Sequence, residues 1–74
     1  MNLSELEQIL IENDVPSSYY NLTGIGRIDE RIVLIKTVDK WEVFYQERGI
    51  KTTDLFFETE SDACIYIAKK LIKK

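Results

Sequence analysis

Three short runs of alternating residues, "RIVLIKT" (31–37), "WEVFYQE" (41–47) and "TDLFFET" (53–59), leave this chain few ways to fold. Period-two alternation marks a strand with one face buried. The connectors, "VDK" and "RGIK", are short enough for hairpins, so the runs read as an antiparallel meander. In the middle run Trp41, Val43 and Tyr45 give one face, and Glu42, Phe44, Gln46 and Arg48 the other. Phe44 is a large aromatic among polar neighbours, and something must cover it.

Register decides its surroundings. A three-residue loop Gly49-Ile50-Lys51 sets Phe44 beside Phe56, Glu42 beside Glu58 and Gln46 beside Asp54. The matching register of the first hairpin sets Leu34 beside Phe44 and Lys36 beside Glu42. The outer face then carries an apolar bar, Leu34–Phe44–Phe56, bordered by acids. A slip of one residue exchanges Leu34 for a neighbour. Trp41, Val43, Tyr45, Leu55 and Phe57 form the opposite face and the core.

Helices flank the meander. Asn2 and Glu5 stand at capping-box spacing, and Leu3, Leu6, Ile9, Leu10 and Asn13 share one side of the helix that follows. Pro16 and two serines close it. Thr59 caps the last helix with Asp62 in the reciprocal position. Cys64, Ile65, Ile67, Ala68, Leu71 and Ile72 form its apolar stripe, with Tyr66 opposite among lysines. The expected fold is α+β, in the order α-β-β-β-α: a three-stranded antiparallel meander with both helices on one face. Residues 1–74 make a single domain.

Charge and composition narrow the function. Outside Lys69, Lys70, Lys73 and Lys74, six basic side chains stand against thirteen acidic ones. Such a surface repels phosphate backbones and attracts basic partners, or simply keeps a small domain soluble. No run has the length of a membrane span and no signal peptide is visible. A lone cysteine suits a reducing cytoplasm. The chain holds no histidine, the usual general base and commonest metal ligand. Cys64 sits on an apolar stripe without an imidazole partner, and "GIGRID" lacks the third glycine of a phosphate-binding fingerprint, so it reads as a turn. The expectation is no enzyme, no cofactor and no metal. The element order is also that of double-stranded-RNA-binding domains, whose second helix begins with phosphate-gripping lysines. Here that start reads "TESDAC", so nucleic acid is not the expected partner, and a small nucleic-acid-binding regulator is the alternative.

"DKWEVFYQERGIKTTDLFFETESDACIYIAKKL", with the preceding "ENDVPSSYYNL", resembles the small immunity proteins encoded beside bacterial polymorphic or contact-dependent toxins. The likeness lies in the Trp-Glu-Val-aromatic-Tyr strand, the Glu-Arg-Gly turn, the Phe-containing strand and the acidic helix start leading to Ala-Cys. It covers most of residues 12–71. The resemblance implies a cytoplasmic protein without catalysis of its own, which binds and blocks a cognate toxin C-terminal domain, often a nuclease.

Candidate partner-binding residues follow. Phe44 and Phe56 are the anchor and Glu42, Asp54 and Glu58 the electrostatic rim, with Gln46 a further candidate contact. Three covers fit this face: a partner protein, residues 15–26 folded over it, or a second copy making a homodimer. Tyr19 and Tyr20 are further candidates, one docking on the core and the other exposed. Arg48 is placed to pair with Glu30, Gly49 to supply a positive φ, and Trp41 to sit in the core.

Overall fold

A computed structural model describes residues 1–72. Lys73 and Lys74, half of the C-terminal lysine cluster, lie outside the described residues. The chain runs α1 (Leu3–Glu12), a single 3-10 turn (Ser17–Tyr19), β1 (Tyr20–Asn21), β2 (Arg31–Lys36), β3 (Trp41–Glu47), β4 (Ile50–Phe57) and α2 (Glu60–Leu71).

Both helices begin as their caps require. The Glu5 N–H donates to Asn2 Oδ1 and the Asn2 N–H to Glu5 Oε1, which completes the capping box. Thr59 Oγ1 accepts from the Asp62 N–H. Such a cap is worth about 1 kcal/mol because it satisfies donors that no helical carbonyl can reach. The Leu3 N–H donates to Glu60 Oε2 at 2.9 Å, so an acid of α2 also serves the start of α1. Two positive dipole ends are thereby brought together over acidic groups.

The α+β class stands, but the sheet has four strands and is mixed. Its order is β1-β2-β3-β4, with β1 parallel to β2 and the other pairs antiparallel. β1 is only two residues long, too short to leave any periodicity in the sequence. The helices lie on one face of the sheet, where Leu6, Leu10, Ala63, Cys64 and Ile67 bury against Tyr20, Leu34 and Val43. Each fully buried aliphatic there contributes roughly 1.5–3 kcal/mol of transfer free energy. Trp41 and Phe57 pack on the margin of this core. Tyr66 does as well, its ring 5.5 Å from that of Phe57, whereas Ile65 is exposed. That corrects the helical stripe: Tyr66, not Ile65, turns inward.

Both hairpin registers differ from the sequence expectation. Arg48 and Gly49 each take a positive φ, 53° and 80°, which makes a two-residue turn closed by Glu47 and Ile50. Such turns match strand twist and are favoured over the three-residue loop. A bulge then leaves Thr52 unpaired, since Tyr45 faces Thr53 and Gln46 faces Lys51. Phe44 consequently lies opposite Asp54, and Glu42 opposite Phe56. In the first hairpin Thr37 and Lys40 close the turn through backbone and Thr37 Oγ1 hydrogen bonds, and Val33 rather than Leu34 faces Phe44. Leu34 moves to the core. Lys36 faces Trp41, with its ammonium 5.5 Å from the ring centroid, instead of Glu42.

Candidate functional site

The outer sheet face carries the rows Val33–Phe44–Asp54 and Ile35–Glu42–Phe56. It is largely closed. Val33 is fully buried and Phe44 is 5% exposed, although neither belongs to the helix-side core. Residues 23–30 adjoin this face, approaching it at Ile35 and at Gln46. Gly24 lies so near Ile35 that a Cβ would stand 2.4 Å from Ile35 Cγ2. Further along, Gln46 Nε2 donates to Asp29 Oδ1 and the Glu30 N–H to the Gln46 carbonyl. Ile28 lies between these anchors, half-buried. Asn21 ties the segment to itself: its Oδ1 accepts from the N–H groups of Thr23 and Gly24, and its Nδ2 donates to the carbonyls of Ile25 and Arg27. Of the three alternatives the loop-covered one fits Phe44 alone: Gly24, within residues 15–26, and Asp29 and Glu30 beyond them approach its face, whereas Phe56 stays 56% exposed.

The acidic rim is rearranged too. Glu42 is 7% exposed, and its carboxylate accepts from Lys51 Nζ at 3.0 Å, while the same ammonium stands 4.3 Å over the Phe44 ring. A hydrogen bond shared with Asp54, and then burial, hold the Glu42 carboxyl above its ordinary 4.5 despite Lys51. Glu58 leaves the group and pairs with Lys40 at 3.4 Å beyond the strand end. Glu42, Asp54 and Glu58 therefore do not form one exposed patch. Asp54 and Phe56, the latter 56% exposed, remain on the surface. Gln46 is half-buried under its loop contacts. Arg48 makes no ion pair with Glu30; the ion pairs among the described residues are Lys40–Glu58 and Lys51–Glu42.

An opening on the helix side was not visible in the sequence. Ile32, Tyr45 and Thr53 form one cross-strand row toward the β3–β4 turn. A cavity of about 190 Å³ lies there, lined by that row, by Val43 and Phe44 of β3 and by Tyr66 and Lys70 of α2. It adjoins a second opening lined by Tyr19, Glu30, Ile32, Tyr45 and Leu71. Ile32 and Tyr45 line both openings, which together form a groove in two parts, Tyr66 in the first and Tyr19 in the second. Tyr19 is 55% exposed, whereas Tyr20 is docked at 9%, which divides the two tyrosines as expected. Arg31 Nη1 donates to the Ser17 carbonyl at 3.1 Å and so pins the turn that presents Tyr19. Glu30 stands at the rim in left-handed backbone, φ 60°. A residue without glycine's freedom holds that conformation only where its surroundings impose it, here the bond to Gln46. The groove's parts are far apart in sequence, and no local pattern joins them.

Among the described residues no three His, Cys, Asp or Glu side chains are grouped to hold a metal ion. Cys64 is fully buried, and burial pushes its thiol up to about 11, so it is a core residue rather than a nucleophile. No described helix is long and apolar enough to cross a membrane. Compared with known protein families, curated proteins and solved structures, the chain matches none.

Proposed function

We propose that this chain is a non-catalytic binding module that acts in the cytoplasm, neutralising a cognate bacterial toxin domain by covering its active or substrate-binding surface. The observation that carries the reading is the groove: Tyr45 of the sheet lines both of its openings, with Tyr66 in one and Tyr19 in the other, and Glu30 stands at the rim. Tyrosine supplies a large contact area with few rotors to immobilise and a polar tip that tolerates water, which makes it a frequent anchor at protein interfaces. A rim acid on a net-acidic domain steers toward a basic surface such as a nuclease cleft. The likeness of residues 12–71 to immunity proteins supports the same reading. Nucleic acid does not fit as the ligand, because the start of α2 carries Glu60 and Asp62 where phosphate-gripping lysines would be needed.

The reading requires a secreted toxin encoded beside this chain, and the test is titration of the purified chain against the C-terminal domain of the neighbouring gene's product. Tyr19→Ala should weaken the complex roughly tenfold or more, chiefly by faster dissociation. Glu30→Lys should slow association, and the deficit should shrink as salt rises. Binding that neither substitution alters would refute the groove as the contact surface.

A further inference from the structure

The two parts of the groove carry opposite charge. Tyr66 and Lys70, one helical turn apart on α2, stand at the cavity of about 190 Å³. The other opening is bordered by Glu30, whose N–H bond to the Gln46 carbonyl fixes it beside the end of β3. Strand alternation sets Glu47 on the same face as Tyr45, and Glu47 lies opposite Ile50, which is 67% exposed. One end thus holds a cation and the other two acids, with apolar surface between them. Lys70, Glu30 and Glu47 are all exposed, and none enters the ion pairs among the described residues, Lys40–Glu58 and Lys51–Glu42. The cavity itself is chiefly apolar, with Ile32, Val43, Phe44 and the tyrosine rings in its walls. An apolar cavity of roughly 150 Å³ accommodates benzene, so one of about 190 Å³ admits a single aromatic ring or branched aliphatic side chain.

Taking the groove as the surface that meets a partner protein, as proposed above, we infer that it receives one segment of that partner with an acidic side chain at one end, a Phe or Leu in the middle and a basic side chain at the other. The apolar side chain fills the cavity, the carboxylate meets Lys70, and the base meets Glu30 and Glu47. Filling the cavity drives out water, which strengthens whatever charge interaction remains at its mouth. A uniformly basic segment would satisfy Glu30 and Glu47 but set a like charge against Lys70, so the partner must supply an acid at this point within its basic surroundings. A uniformly acidic segment fails at the other end for the same reason. A neutral one desolvates Lys70, Glu30 and Glu47 without giving them partners. The groove therefore fixes both the composition of the segment and the direction in which it lies.

The peptide acetyl-Asp-Gly-Phe-Gly-Lys-amide, whose three side chains share one face when extended, tests this on the full chain without any toxin. Followed by NMR it should bind in about the millimolar range, with shifts concentrated at Ile32, Tyr45, Thr53 and Tyr66. Replacing its Phe by Ala, or its Asp by Lys, should weaken binding roughly tenfold or more. Lys70→Glu should reverse the preference between the Asp and Lys peptides. Lys69→Glu makes the same charge change in the same helical turn but outside the groove's lining, and should leave the preference unchanged. No shift in the groove at about 10 mM peptide, or a preference that Lys70→Glu does not alter, overturns the inference. Against the C-terminal domain of the neighbouring gene's product, Lys70→Glu should also weaken the complex roughly tenfold. A domain that binds wild type and Lys70→Glu alike would overturn the inference and leave the toxin reading standing. The expected peptide selectivity without any binding of that domain would refute the toxin reading and support the groove's specificity.

Discussion

Phe44 and Phe56, which the sequence presents as equals, should respond to truncation very differently. Phe44 is 5% exposed on the face that residues 23–30 adjoin, and Phe56 is 56% exposed at the sheet edge. Phe→Ala at a buried site costs about 3–5 kcal/mol, from lost transfer free energy and the cavity left behind. The cover here is a loop that can partly settle into the gap, so the lower end, about 3 kcal/mol, is the appropriate value. Loss of the Lys51 ammonium contact, 4.3 Å from the ring, adds about 0.5–1 kcal/mol at a half-exposed site. A domain of this size has roughly 4–11 kcal/mol to lose, at about 0.05–0.15 kcal/mol per residue. Phe44→Ala should therefore lower Tm by about 12 °C or more, at roughly 4–8 °C per kcal/mol. Phe56→Ala, with no cavity to leave, should move Tm by only a few degrees, about 0.5–1 kcal/mol. Calorimetry on dilute samples of both variants decides the matter. A Phe44→Ala shift below about 4 °C, or equal shifts for the two variants, would refute the covered-face account.

Glu42 sets a pH dependence. Its folded-state carboxyl lies above the ordinary 4.5, so it stabilises the fold below that value and loses the contribution as pH rises through its raised folded value. Urea midpoints taken from roughly pH 4 to 8 should fall more steeply for wild type than for Glu42→Gln; parallel curves would contradict the assignment. Cys64, with its thiol pushed up to about 11, should resist iodoacetamide in the native state and react once urea unfolds the chain; rapid native labelling would place it at the surface. Arg48→Asn, a residue that accepts the left-handed backbone of the turn more readily, should stabilise by about 0.5 kcal/mol in chemical denaturation, and a loss would argue that the arginine side chain holds the turn.

The helices and the strand positions were legible because each rests on a local signal: the Asn2–Glu5 box, the Thr59 cap, the alternation of Trp41, Val43 and Tyr45; of the expected sheet core Val43 is buried and Trp41 and Phe57 pack at its margin, whereas Leu55 is 38% exposed. Register was not legible. It depends on a turn that places Arg48 at positive φ, a conformation that residue propensity assigns to Asn, Asp or Gly, and on a bulge at Thr52 that no composition marks. A slip of one residue exchanged Leu34 for Val33, and a difference of two at the second hairpin set Asp54 rather than Phe56 opposite Phe44. The cover over Phe44 depends on hydrogen bonds from one side chain, Asn21, to backbone as far as Arg27. The groove escaped for a related reason. Tyr19, Glu30, Tyr45 and Tyr66 come from four separate segments and meet only when parallel pairing of β1 brings the 3-10 turn beside β2.

The central proposal, neutralisation of a toxin domain through the tyrosine groove, is tested most directly by growth of a bacterial host that expresses the C-terminal domain of the protein encoded by the neighbouring gene. Co-expression of wild type should restore growth. Tyr19→Ala combined with Glu30→Lys should fail to do so, although the variant accumulates and melts like wild type, and Phe56→Ala should still protect. Full protection by the double variant, or no protection by wild type, would contradict the account.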